Sequence, residues 1–221
     1  MKTTAILINT KSWDKTLFFV LLCALSGVMT YAAQSLLITD DLYFSFFGDQ
    51  LSYDRISEII NFSRKWQWLS YAVIPFYYLM KMFMVSTCIY TGTIIAGPEI
   101  SFTRIFQVAL LGESIFLIPL ILKLCWFLWV QPDYTLADIH SFYPLSALNL
   151  FDRESLDSWL LYPLQAMNLF EVLYFLALAY GLYLITKVSY INMLALVVCT
   201  YGTGLFIWMI SIMFLTVTFT S

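Results

Sequence analysis

Four ionisable side chains interrupt stretches that are otherwise apolar enough to cross a lipid bilayer. Two are cations, Lys81 and Lys123, and two are anions, Glu113 and Glu171. A charged side chain inside a membrane span costs about 3 kcal/mol on insertion scales, so such residues usually face the bundle interior and pair with one another. They can form ion pairs that hold helices together, or line a polar pathway that handles protons. The ion-pair interpretation is favoured because the signs cancel.

Lys81 and Glu113 are the deeper members of this set. Their predicted spans are joined by a loop of only about eight residues, which predicts antiparallel neighbouring helices. Counting from that loop at 1.5 Å per residue places Lys81 at about 22 Å and Glu113 at about 12 Å. The long lysine side chain narrows this difference, and Glu171 is the alternative partner for Lys81. Lys123 is close enough to its helix end to extend toward the headgroups.

Other residue types that catalyse reactions or bind metals form no recognisable motif. Each cysteine falls in a different predicted span, without C-x-x-C spacing, which predicts buried structural thiols. These cysteines are Cys23, Cys88, Cys125 and Cys199. The single histidine, His140, and nearby Asp133 and Asp138 do not make a metal site, and no phosphate-binding loop or nucleophile elbow is present. The sequence therefore predicts a protein that is not an enzyme and that binds no cofactor or metal.

The elements that must position the four charges are membrane helices. The chain is 61% apolar and only 11% charged, whereas soluble domains are roughly 25% charged, so lipid must be its solvent. A net charge of −3 and the lack of a basic run argue against a nucleic-acid partner. We therefore predict an all-α polytopic membrane bundle that forms a single transmembrane domain over 1–221. Apolar runs of about 20 residues predict five spans, at about 17–39, 68–96, 105–130, 167–186 and 190–219.

The first apolar run has two interpretations. It follows Lys2, Lys11 and Lys15, and the Tyr-Ala-Ala sequence at 31–33 loosely suits the cleavage site of a signal peptide. The run continues to Ile38, however, which is longer than a signal peptide needs, so we expect an uncleaved anchor. Its basic flank predicts a cytoplasmic N-terminus and a C-terminus on the opposite side of the membrane.

The segment between the first two spans has the pattern of an amphipathic helix in the membrane interface, at 51–64. Ile56 and Ile60 recur at helical spacing, while Asp54 and Glu58 fall on the other side. This connection and the one at 131–158 are both rich in carboxylates and lie on the same predicted face. That face is either a solvated surface, which we favour, or a docking surface for a partner.

A stripe of small residues in the fifth span concerns helix packing. Ala195, Cys199, Thr203 and Ser211 recur along the fifth span at spacings of four or eight. Small residues let helices approach closely in lipid, so we expect this helix to be central or to contact another subunit.

The pattern P-L-x-A-[LM]-N-L-F-[DE] occurs twice, starting at Pro144 and again at Pro163. Proline is favoured in the first turn of a helix, so each copy predicts the start of a short apolar helix at the membrane interface. Two copies are too few for a solenoid.

The run Asn-Leu-Phe-Glu-Val-Leu-Tyr-Phe-Leu-Ala-Leu-Ala-Tyr-Gly-Leu at 168–182 resembles the fourth-span signature of the Yip domain family. That family comprises five-span membrane proteins that interact with Rab-type GTPases in eukaryotes. The resemblance extends over about 101–186 and implies five spans and a cytosolic N-terminus. The long N-terminal region of eukaryotic members is not seen before the first span, so the resemblance implies a short bacterial relative in the inner membrane.

These features favour a non-enzymatic accessory or scaffold subunit of a membrane complex that serves trafficking, export or transport. Its expected partners are the lipid bilayer and other membrane protein subunits. The alternative is a small transporter that uses the intramembrane lysine and glutamate charges. An odd number of spans without visible inverted halves argues against that alternative.

Overall fold

A computed structural model describes residues 12–48, 50–96, 99–152, 156–186 and 188–220. Within these residues an isolated bridge is the only β-type pairing and no strand is present, so the predicted all-α class is confirmed. The helices are α1 (Ser12–Leu37), α2 (Asp40–Phe47), α3 (Tyr53–Ala96), α4 (Phe102–Val130), α5 (Leu136–Ser141), α6 (Ser158–Ala166), α7 (Leu169–Thr186) and α8, which joins Tyr190–Val197, a π-helical turn Val198–Gly202 and Thr203–Thr220.

Five helices among the described residues are long and apolar enough to cross a bilayer, and they confirm the predicted number of spans. The chain is therefore an integral membrane protein. The candidate spans are Asp14–Leu37, Tyr53–Ile95, Phe102–Val130, Leu169–Thr186 and Tyr190–Phe219.

The second predicted span and the predicted interfacial helix at 51–64 form one element. Helix α3 runs for 44 residues without a break, which is about 66 Å at 1.5 Å per residue. The prediction of a separate interfacial helix is therefore wrong, although most of the segment is helical. No glycine or proline stands between 64 and 68 to end the helix, and Pro75 is accommodated inside it.

The length of α3 has a consequence for its position in the membrane. The hydrocarbon core of a bilayer is about 30 Å thick, so an upright α3 extends beyond it by about half its length. Ile56 and Ile60, in the first turns of α3, are buried. The apolar face that the sequence indicated in this segment therefore packs against protein.

The described residues belong to two compact units. Unit 1 combines the described residues of Met1–Phe19, Leu79–Phe116 and Tyr143–Ser221, and unit 2 combines those of Val20–Tyr78 and Leu117–Phe142. Helices α1, α3 and α4 each contribute residues to both units. The single transmembrane domain expected from the sequence stays a prediction.

In unit 1, α4 and α7 approach each other closely because glycines lie opposite larger side chains. A Cβ atom at Gly181 would stand 2.5 Å from Cγ1 of Val108, and one at Gly112 would stand 2.7 Å from Cε2 of Tyr174. Carbon atoms do not pack at such distances. Both glycines are therefore required by close approach of the helices, as small residues are in lipid-embedded bundles.

In unit 2, the end of α1 packs against α5 and the end of α4. Leu37, Phe127 and Ile139 form its buried apolar core. The Tyr134 hydroxyl donates a hydrogen bond of 3.2 Å to the carbonyl oxygen of Leu37. This bond satisfies one of the carbonyls left free at the end of α1.

The two copies of the repeated pattern contact each other in unit 1. Ser146 and Asn168 form an antiparallel bridge, flanked by the bonds Ala147 N to Met167 O (2.8 Å) and Leu169 N to Leu145 O (3.1 Å). The expectation that each proline begins a helix is wrong. Pro144 lies in a turn before a short 3₁₀ turn, and Pro163 lies inside α6. The backbone pairing between the copies sets this local geometry.

The close approach of α4 and α7 predicts the effect of one added methyl group. Gly181→Ala should lower stability by about 1–3 kcal/mol, because the new Cβ overlaps Val108. The matched control is Gly27→Ala in α1, where nothing lies within 4 Å of the added Cβ. That change should be neutral or stabilise by up to about 1 kcal/mol through helix propensity. Thermal unfolding in detergent measures both, and equal effects would contradict the contact.

Candidate functional site

A cluster of ionisable side chains and tyrosines lies inside unit 1, on four helices. Its members are Lys81 on α3, Glu113 on α4, Glu171 and Tyr174 on α7, and Tyr201 on α8. The sequence singled out the lysine and both glutamates, and the structure brings these three together. Lys123 lies elsewhere.

Lys81 and Glu113 form a buried ion pair. The Lys81 Nζ atom is 3.0 Å from Oε2 of Glu113, whose side chain is 0% exposed, while that of Lys81 is 20% exposed. The same Nζ lies 3.4 Å from the ring centroid of Phe116 and 5.0 Å from that of Tyr174. Aromatic faces attract a cation electrostatically. The lysine charge is thus held by a carboxylate and two rings, and of the two glutamates that the sequence left open as its partner, Lys81 contacts Glu113.

Glu171 takes a tyrosine as its hydrogen-bond partner. The Tyr201 hydroxyl donates to Oε1 of Glu171 at 2.5 Å, and Lys81 and Glu113 are near enough to act on Glu171 electrostatically. The Glu171 backbone N–H donates to Oδ1 of Asn168 at 2.8 Å. Asn168 therefore caps the start of α7 and fixes where Glu171 enters the cluster.

Two irregular turns carry cluster residues. Glu113 begins a 3₁₀ turn, Glu113–Phe116, in the middle of α4. Pro119 follows it, and a proline lacks the N–H and crowds the carbonyl four residues earlier, which favours an irregular turn at this point. Tyr201 lies in the π-helical turn of α8. A 3₁₀ turn inside a helix often marks a hinge or a strained sequence, and π-helical turns are frequent at functional sites.

Two polar atoms in the cluster are buried and interact with each other without a hydrogen bond of regular geometry. Within the described residues, Oε1 of Glu113 and the hydroxyl of Tyr174 make no hydrogen bond of regular geometry, although the two groups are close enough to interact electrostatically. A buried unsatisfied polar group costs about 1–3 kcal/mol. With all three charged groups ionised, the cluster carries one excess negative charge, and one bound proton would make it neutral.

Lys123 has a separate structural role in unit 2. Its Nζ atom donates to the carbonyl oxygen of Ile139 at 2.6 Å. That carbonyl is near the C-terminal end of α5, where carbonyls lack partners within the helix and favour a cation. The lysine is half-buried and reaches another helix, so the expectation that it extends to the headgroups is not what the structure shows.

The small-residue stripe of the fifth span faces outward. Ala195, Cys199, Thr203 and Ser211 are all exposed, so they do not place this helix at the centre of the bundle, and the expected alternative, contact with another subunit, stays a prediction. The spacing identified a common face but not its direction. The residues of α8 that pack inward are Met193, Leu196, Val197 and Tyr201.

The hydroxyl groups of the stripe are satisfied within α8. Thr203 Oγ1 donates to the carbonyl of Cys199 at 2.6 Å, and Ser211 Oγ donates to that of Ile207 at 2.8 Å. This bonding lets the polar residues face lipid or another helix at little cost. Cys199 is also exposed, which corrects the expectation of a buried thiol there, while Cys23, Cys88 and Cys125 are half-buried.

Among the described residues, the histidine and the carboxylates outside the cluster do not assemble into a metal site. His140 is exposed. Within the described part of the chain, no group of three or more His, Cys, Asp or Glu side chains could hold a metal ion.

Sequence reasoning missed Tyr174 and Tyr201. Tyr174 stands three residues after Glu171, which places both on one side of a helix. That spacing was available in the sequence. Nothing in the sequence showed that Tyr201 would approach from another helix.

Comparison with known proteins identifies no relative, since no family model, no curated protein and no solved structure matches the chain. The resemblance to the Yip domain family stays a prediction.

The buried ion pair predicts a non-additive mutant cycle. Lys81→Met and Glu113→Gln should each destabilise by about 3–5 kcal/mol, because each leaves a charge or a polar group unpaired in the interior. The double variant should be less destabilised than the sum of the two. Thermal unfolding in detergent measures the three variants.

The control is the exposed pair Arg55 and Glu58, whose side chains are both 67% exposed. Arg55→Gln and Glu58→Gln, alone or together, should change stability by less than about 1 kcal/mol. Additive effects of the two Lys81 and Glu113 substitutions would show that the ion pair contributes nothing as a pair.

Proposed function

We propose that the protein is a non-enzymatic accessory or scaffold subunit of a membrane complex that serves trafficking, export or transport. The observation that supports this best is the outward direction of the small-residue stripe Ala195, Cys199, Thr203 and Ser211 on α8. Such a face lets a second helix approach closely, and in lipid that approach is a main source of association energy. A helix of another subunit would find close backbone contact there.

The contacts within the buried cluster also support the role of an accessory subunit. The cation is held by a carboxylate and two rings, and Glu171 is held by Tyr201. In a membrane, where water cannot satisfy polar groups, such bonds fasten helices in a fixed arrangement. A rigid bundle of this kind suits a subunit that presents a surface to partners.

The sequence resemblance gives this role a setting. We propose a short bacterial relative of the Yip domain family, located in the inner membrane with a cytoplasmic N-terminus and the C-terminus on the opposite side. The basic flank before α1 supports this orientation through the positive-inside rule.

The proposed role predicts that bulk on the α8 face disrupts association. Ala195→Phe should release the protein from its complex, because the larger side chain prevents close helix contact. The protein, tagged at its native expression level, is extracted in mild detergent, and the mass of the particle is measured by light scattering. The variant should run at the mass of the isolated chain, and wild type at a larger mass.

The matched control is Ala24→Phe, an equally exposed alanine in α1. It should keep the larger mass, and both variants should unfold at the wild-type temperature. A wild-type protein that runs as an isolated chain, or equal behaviour of the two variants, would reject the accessory role of this face.

A second candidate function is a small transporter that moves protons through the buried cluster. The unpaired Glu113 Oε1 and Tyr174 hydroxyl favour it, because a buried acceptor beside a buried donor is a place where a proton can move. In proteoliposomes with a pH-sensitive dye, this function requires proton flux that Tyr174→Phe abolishes. Tyr90→Phe, which removes a hydroxyl outside the cluster, should leave the flux intact. No flux in wild type would eliminate the transporter.

A further inference from the structure

A polar cavity of about 820 Å³ lies in unit 2, within the range of about 300–1,000 Å³ typical of ligand sites. It is formed by the last turns of α1, the short helix α2 and the first turns of α3. Carboxylates, a guanidinium, amides and aromatic rings line it, among them Asp40, Asp41, Arg64, Gln34, Gln67 and Trp66. The predicted charge cluster lies in the other unit, so this cavity is a separate feature.

The sequence around the lining residues is typical of helices at the level of the lipid headgroups. The apolar span of α1 ends at Leu37, and the cavity is lined by residues on both sides of that point, from Tyr31 to Tyr43. On α3, Trp66 lines the cavity and Trp68 follows before the apolar part of the helix. Tryptophans concentrate where a helix passes through headgroups.

The charged groups of the cavity are only partly used within the protein. The Nη2 atom of Arg64 donates to both carboxylate oxygens of Asp40, at 2.7 Å each. This bond joins α2 to α3. The other guanidinium nitrogens of Arg64 and the carboxylate of the exposed Asp41 have no hydrogen-bond partner among the described residues. A cation and an anion are therefore available to a ligand.

A hydrogen-bonded amide network forms one wall. The hydroxyl of Tyr71 donates to Oε1 of Gln34 at 2.7 Å, and Nε2 of Gln67 donates to the same oxygen at 2.9 Å. This network fixes both amides. It leaves Nε2 of Gln34 and Oε1 of Gln67 without a partner among the described residues, as a donor and an acceptor for a ligand.

We propose that this cavity binds the headgroup of a zwitterionic aminophospholipid, of the phosphoethanolamine type. The phosphate fits the free edge of the Arg64 guanidinium, since that group binds phosphate through paired N–H donors. The primary ammonium fits Asp41, with its three N–H groups also able to reach the amide oxygen of Gln67.

The charge of the residues that line the cavity favours one phospholipid headgroup over others. Asp40, Asp41 and Arg64 together carry one negative charge, so an anionic headgroup such as phosphoglycerol leaves Asp41 uncompensated. A choline headgroup has no N–H group to donate to that carboxylate. The acyl chains would continue into the bilayer beside α1, where Leu36 is exposed. Lipid binding at this site does not require the association proposed for α8.

The test is native mass spectrometry of the full chain with phosphatidylethanolamine, phosphatidylcholine and phosphatidylglycerol of identical acyl chains. Phosphatidylethanolamine should bind at least about tenfold more tightly than either of the others. Soluble glycerophosphoethanolamine, added at the same concentration, should bind more weakly, since it lacks the chains. Tighter binding of this soluble compound would identify a free metabolite as the ligand and overturn the lipid assignment.

Arg64→Gln should weaken phosphatidylethanolamine binding about tenfold, and Arg55→Gln, an arginine on the same helix outside the cavity, should leave it unchanged. Because Arg64→Gln also breaks the bond to Asp40, Asp41→Asn provides a second variant that breaks no contact among the described residues. It should fold as wild type and lose the preference over phosphatidylcholine. Equal binding of all three lipids, or a preference that survives Asp41→Asn, would overturn the proposal.

Discussion

A charge buried in a membrane bundle must find an opposite charge or a hydrogen-bonding partner within the protein, because neither lipid nor water can compensate it. Lys81 and Glu113 meet this constraint with a separation of 3.0 Å. The contact requires α3 and α4 to be neighbours, with Lys81 and Glu113 at the same height along the two helices. The 3₁₀ turn that precedes Pro119 begins at Glu113, so the irregular part of α4 coincides with the buried carboxylate. The α4–α7 contact then closes over the cluster because Gly112 leaves room for Tyr174.

The two polar sites of the molecule differ in their access to water, and the difference sets their chemistry. Glu113 is fully buried, so its interaction with Lys81 is strong and is hardly screened, and Lys81 also lies over the ring of Phe116. Arg64 and Asp40 are about half exposed, so their bond contributes little to stability. A pair that contributes little can open toward a ligand at small cost. A buried pair cannot do so without leaving a charge unpaired. We therefore infer that the Lys81–Glu113 cluster joins helices, and that the cavity beside Arg64 and Asp40 is the site that binds a ligand.

The sequence predicted the class, the number of spans and that Lys81 would pair with Glu113 or Glu171, because each follows from a strong one-dimensional signal. Long apolar runs and isolated charges within them are read directly from the chain. It did not predict that 51–64 continues into α3, since amphipathic periodicity shows a face but not where a helix ends. Nor did it show the direction of the stripe at Ala195, or the arrival of Tyr201 beside Glu171. These features depend on which helices are neighbours, and one sequence does not encode that in any local pattern.

Glu113 Oε1 and the Tyr174 hydroxyl distinguish two roles for the cluster: a structural contact that joins helices, or a proton pathway. If Glu113 Oε1 and the Tyr174 hydroxyl stayed unsatisfied, each would cost about 1–3 kcal/mol, a large fraction of the stability of a small bundle. A rotation that lets Tyr174 donate to Glu113 removes both costs at once. It also extends the chain of contacts from Lys81 through Glu113 to Tyr174, whose ring packs on Tyr201 at 5.7 Å. With that hydrogen bond the cluster forms a network that joins α3, α4, α7 and α8. Such a network needs neither water nor an exchange of protons to hold four helices together, which is what an accessory subunit requires.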